Sequence, residues 1–96
     1  MKLYVDDVRD APDGWVLCRE AAEALEFLED GDIANLSLDH DLGEFSLFSG
    51  YDIAKWIVEH DTWPHHIYCH SMNPVGRENI LALLERYAPE WVTVHR

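Results

Sequence analysis

Apolar and polar positions follow two different periods along this chain. Lys2 to Val5 is a short apolar run that ends in charge, and it predicts a buried strand. Trp15 to Cys18, Ile33 to Leu38, His66 to Cys69 and Trp91 to Val94 read the same way. Between these runs the period lengthens. Arg19 to Asp30 carries Ala21, Leu25 and Leu28 at helical spacing, and Gly31 stands where a C-terminal cap belongs. Ser49-Gly50-Tyr51-Asp52 has the form of a capping box and opens a helix through Ile53 to Glu59. Asn73-Pro74 supplies an N-cap and a first-turn proline for a helix reaching about Tyr87. The segment Asp7 to Gly14, with Pro12 and the pair Asp13-Gly14, reads as a loop.

The order is β-loop-β-α-β-α-β-α-β. It predicts a three-layer α/β domain with a mainly parallel five-stranded sheet, the helix after the first strand being reduced or lost. No repeat or linker interrupts the chain, and 96 residues, near half of them apolar, suit a single domain spanning 1–96.

Charge narrows the partners. A formal charge of -12 argues against gripping a nucleic-acid duplex, because that mode works through Lys and Arg displacing counterions from phosphates. A small phosphorylated ligand is compatible if a few cations, a helix start or a metal reverse the field locally. Charges break every apolar stretch, so no membrane span is predicted. Cys18 and Cys69 lack CxxC spacing, and no leader pattern opens the chain, which fits a reduced, cytoplasmic setting. The sequence leaves the oligomeric state open.

The candidate chemistry lies where strands end. Leu3-Tyr4-Val5 finishes in Asp6-Asp7, Ser37-Leu38 in Asp39-His40-Asp41, and Ile67-Tyr68-Cys69 in His70-Ser71. Ligands of open parallel sheets bind beyond the carboxyl ends of the strands, so these side chains belong on one rim. Crowded carboxylates ionise together only with a cation, and hard oxygen donors favour Mg²⁺ or Mn²⁺. The histidines add general acid and base capacity. Asn73, Gly76 and Arg77 open a helix whose free N–H groups suit an anion, and Arg9 is a second candidate clamp.

Ordinary structural roles compete with several of these. Asp6-Asp7 fits a turn as well as a metal, Asn73-Pro74 fits plain helix initiation, and His65 and His66 fall at the opposite end of the sheet. Zinc held by His40 and His70 ranks below Mg²⁺ because no His or Cys spacing supports it. Tyr51, Trp56, Leu81 and Leu84 are assigned to packing, while Phe45 and Phe48 fit either a lid over a nucleobase or a core plug.

Four motifs in order carry a resemblance: Leu3 to Arg9, Ser37 to Gly43, Gly50-Tyr51-Asp52 and His70 to Arg77. Together they resemble the cyclic-phosphate-processing receiver-like family, a divergent relative of response-regulator receiver domains. The resemblance implies a flavodoxin-like sheet of order 2-1-3-4-5. It implies that Asp6, Asp7 and Asp39 hold a metal, that Asp39 matches the receiver's acceptor aspartate, and that Ser71 matches the hydroxyl after the fourth strand. The receiver's lysine after the fifth strand is missing: that strand ends in His95-Arg96, and Lys2 and Lys55 are the only lysines. This argues against a phospho-switch.

The expected function is metal-assisted hydrolysis of a cyclic phosphate on a nucleotide or RNA terminus. Asp39, His40, Asp41, His70 and Ser71 would be catalytic, with His70 protonating the departing oxygen. Arg9, Asn73, Gly76 and Arg77 would bind phosphate. The alternative is a non-catalytic module that binds a phosphorylated nucleotide or a partner protein.

Overall fold

The structure, a computed structural model, describes residues 1–42 and 48–96. Strands β1 (Lys2–Val5), β2 (Val16–Cys18), β3 (Asn35–Leu38), β4 (His66–Cys69) and β5 (Thr93–His95) alternate with helices α1 (Ala21–Asp30), α2 (Gly50–His60) and α3 (Pro74–Tyr87). All pairings are parallel and the strand order is β2-β1-β3-β4-β5. The fold is therefore the receiver-like α/β sheet expected from the sequence.

Connection handedness explains where the helices sit. The crossovers through α1, α2 and α3 all move across the sheet in one direction, so right-handed connections place all three helices on the same face. The β1 to β2 connection moves the opposite way, and its helix would cover the other face. It is a loop instead, closed by hydrogen bonds from Trp15 N to Pro12 O at 3.1 Å and Asp6 N to Cys18 O at 3.1 Å. The third layer expected from the sequence is thus supplied by a loop rather than helices among the described residues.

Side-chain alternation matches this asymmetry. Leu3, Leu36 and Ile67 form one cross-strand row and Val5, Leu38 and Cys69 another, all buried beneath the helices. Each leucine so buried contributes roughly 1.5–3 kcal/mol. The intervening row, Tyr4-Ser37-Tyr68-His95, points to the helix-free face. Tyr4, Tyr68 and His95 remain half-buried there.

The helix signals act as anticipated. Ser49 and Asp52 form a reciprocal capping box, Asn73 caps α3 through Gly76 N, and Gly31, at φ 83°, closes α1 through Leu28 O. Some boundaries shift. α1 begins at Ala21 instead of Arg19, since Arg19 turns back to bond the first loop. β3 begins at Asn35 because Ala34 N bonds Met1 O before the ladder starts. β5 occupies Thr93–His95 because a turn from Val92 N to Pro89 O holds Trp91 off the sheet. Cys18 and Cys69 are free and buried, and burial pushes the Cys18 thiol up to about 11. Among the described residues no helix is long and apolar enough to cross a membrane.

Candidate active site

β1 delivers Asp6 to the carboxyl rim, where the side chain is 1% exposed. Its Oδ1 accepts two backbone N–H groups, from Val8 and Arg9, each at 2.8 Å. This closes the chain into a tight turn, and it explains why Asp rather than a larger acid stands here. Burial opposes the charge on Asp6. The two N–H groups and the His70 ring outweigh it and hold the carboxyl below its usual range.

β4 delivers His70, whose ring has both nitrogens engaged. Nε2 lies 3.0 Å from Asp6 Oδ2, and Nδ1 lies 2.7 Å from Ser37 Oγ. The ring also stacks on Tyr4, with centroids 4.1 Å apart. Burial lowers the pKa of His70, an effect that Asp6 and Asp39 offset only in part. A neutral imidazole beside a carboxylate places its proton on Nε2, donating to Asp6, and leaves Nδ1 to accept from Ser37.

β3 ends in Asp39, held by a backbone bond from its N–H to Val5 O at 3.0 Å. One ligating atom each from Asp6, Asp39 and His70 lie within 4.8 Å of one another. Asp7, expected beside them, is not part of this group. Two carboxylate oxygens and an imidazole nitrogen form a donor set that fits a divalent cation, and the imidazole favours Mn²⁺ over Mg²⁺. For Nε2 to ligate, the ring proton must move to Nδ1. The Ser37 hydroxyl permits this, because it can accept as well as donate.

His40 and Asp41 form a separate pair, Nδ1 to Oδ1 at 2.9 Å. The His40 ring occupies the space that Gly76 leaves: a Cβ on Gly76 would lie 2.4 Å from its Cγ. Gly76 thus makes room for an imidazole. The anticipated anion cradle at the start of α3 is already in use, since Gly76 N donates to Asn73 Oδ1 at 3.0 Å and Arg77 N to Asn73 O at 2.8 Å. Ser71 Oγ accepts from Asn73 N at 3.1 Å. Arg9 reaches His70 O at 3.4 Å, and Arg77 makes no ion pair among the described residues.

The fold also brings to the site residues that no sequence motif assigns to it. Ser37 lies within a strand, and only the register reveals that it faces the His70 ring. Arg19 ties the first loop together through Asp6 O, Arg9 O and Asp10. No lysine replaces the receiver's missing one: Lys55 pairs with Asp52 and Lys2 lies over Trp15. Phe48 borders a hollow between α1 and α2 with Leu25 and Trp56, and Phe45 and Gly43 fall outside the described residues.

The profile of the cyclic-phosphate processing receiver domain matches residues 1–86, and the chain belongs to that family. No curated protein and no solved structure matches it.

Proposed function

We propose that this rim is a phosphoesterase site that opens a cyclic phosphate on a nucleotide or RNA end, with Mn²⁺ or Mg²⁺ held by Asp6, Asp39 and His70. The supporting observation is the convergence of those three side chains within 4.8 Å, at strand ends far apart in sequence. Family membership supports the substrate class. A cation bound there would offset phosphate charge and lower the pKa of a bound water.

The chain's own groups divide the remaining work. His40, oriented through Nδ1 by Asp41, has Nε2 available to take the proton of the attacking water. Arg77 and Arg9 stand on the rim to pair with non-bridging phosphate oxygens, and the Ser71 hydroxyl retains its proton for donation to one of them. Ser37 fixes the orientation of the His70 ring. With both nitrogens engaged, His70 is better suited to hold the cation than to protonate the departing oxygen. Attack by water forms one P–O bond and breaks one ribose ester bond, the departing ribose oxygen takes up a proton from solvent water, and a phosphomonoester remains.

The test is incubation with a nucleoside 2′,3′-cyclic phosphate and Mn²⁺ or Mg²⁺, followed by ³¹P NMR. Conversion to the monoester that disappears in Asp39→Asn and His70→Ala supports the reading. Binding without conversion rejects it in favour of the non-catalytic module.

A further inference from the structure

The helix-free face of the sheet carries an unusual row. Tyr4, Ser37, Tyr68 and His95 stand side by side across four strands, where the next row in the same strands is Leu3, Leu36, Ile67 and Val94. Aliphatic residues serve the helix side, and aromatic ones the side that no helix covers. Trp15 stands nearly perpendicular to the rings of both Tyr4 and Tyr68, with centroids 6.1 and 6.3 Å away. Tyr68 in turn stacks on His95 at 4.2 Å.

A cavity of about 360 Å³ opens over this row, bordered by Trp15, Tyr68, His95, His70 and Arg77. That size suits a single small molecule rather than a docked helix. Its lining combines two kinds of chemistry. The aromatic part is Tyr4, Trp15, Tyr68 and His95, and the other is His70, which belongs to the Asp6 and Asp39 cluster, together with Arg77. Arg96 is committed to Glu78 at 2.8 Å and Glu85 at 2.5 Å. Arg77 is therefore the cation at the margin available to an anion, in a chain of charge -12.

We propose that this cavity binds the nucleobase of the substrate, resting on the phosphoesterase reading for the phosphate end. The base lies against Tyr68 and Trp15, with its phosphate directed toward Arg77 and His70. Ring stacking is tolerant of base identity, so the site selects nucleotides as a class over base-free sugar phosphates. The unreactive end of the substrate then supplies binding energy that orients the phosphate.

The experiment compares binding of adenosine 2′,3′-cyclic phosphate and base-free methyl riboside 2′,3′-cyclic phosphate to the full chain, by calorimetry without added metal so that the proposed hydrolysis does not run. The nucleotide is expected to bind about tenfold tighter. Tyr68→Leu should bring that ratio near one, and Tyr68→Phe should preserve it. Equal affinities in the unmodified protein, or an unchanged ratio in Tyr68→Leu, overturn the proposal. Adenosine alone should also shift the Trp15 indole N–H resonance, a readout that needs no variant, and an unmoved resonance overturns the proposal too. A Trp15 shift without any turnover keeps the base site while rejecting hydrolysis. Turnover with no preference for the base does the reverse.

Discussion

His70 Nε2 lies 3.0 Å from Asp6 Oδ2, although 64 residues separate the two in the chain. One strand lies between theirs in the sheet, so the contact exists only because β3 aligns both ends on one rim. Ser37 on that intervening strand holds the other ring nitrogen at 2.7 Å. The three side chains form a continuous hydrogen-bonded line across the sheet.

Cation binding follows the geometry of this line. Asp39→Asn is expected to weaken Mn²⁺ binding at least tenfold in calorimetric titration, because it removes one of the two carboxylate charges that converge with His70. Asp7→Asn should change it less than about twofold, since Asp7 lies outside the group. Equal losses in the two variants contradict the assignment.

Stability of the metal-free protein should depend on pH through His70. Its pKa is lowered on folding, so below about 6.5 the unfolded chain takes up a proton that the folded chain refuses. The contribution is present above that pH and is lost as pH falls toward the folded value. Urea titrations between pH 7 and pH 5 should therefore show stability declining with acidity. The His70→Gln variant should show a shallower decline.

Ser37→Ala tests the positioning role of the hydroxyl. Losing the bond to Nδ1 should cost about 1 kcal/mol of stability by urea denaturation. It should also weaken Mn²⁺ binding severalfold, because the ring loses the partner that accepts its proton when Nε2 ligates. A stability loss with unchanged Mn²⁺ affinity leaves Ser37 a purely structural contact.

Two glycines should respond differently to alanine. At Gly50 a Cβ would lie 2.0 Å from Asp39 O, a backbone atom, so Gly50→Ala must displace the end of β3. A loss of about 1–3 kcal/mol in urea denaturation is expected. At Gly76 the three nearest atoms a Cβ would meet all belong to the His40 side chain, which can swing away. Gly76→Ala should fold with near-normal stability while cutting kcat for the cyclic phosphate, if His40 takes the water's proton.

Much of this architecture was legible because local chemistry and hydrophobic period agree. The Ser49 and Asp52 capping box, the Asn73 cap with Pro74, and Gly31 after α1 all act where the sequence places them. The rim residues Asp6, Asp39 and His70 were legible too, since parallel strands bring their carboxyl ends together. Asp7 was not separable from Asp6. Adjacent residues at a strand end differ in direction, and which one turns inward depends on the Val8 and Arg9 amides. Gly76 stands in the sequence as part of an anion site at a helix start, and the packing of the His40 ring, 36 positions earlier, against it is visible only in the fold.

Periodicity, capping and crossover handedness are local or topological rules, so the strands, the helices, the parallel sheet and the rim on which the acids and imidazoles gather can all be read from the residues, while the order of the strands comes from the family resemblance. The three-dimensional packing is what sets Ser37 against His70, leaves Asp7 outside the cluster and makes Tyr4, Trp15 and Tyr68 frame a cavity instead of a core. Those outcomes rest on cross-strand register and on a loop standing where a helix would cover the sheet. Both bring together residues distant in the chain, beyond the reach of any local pattern.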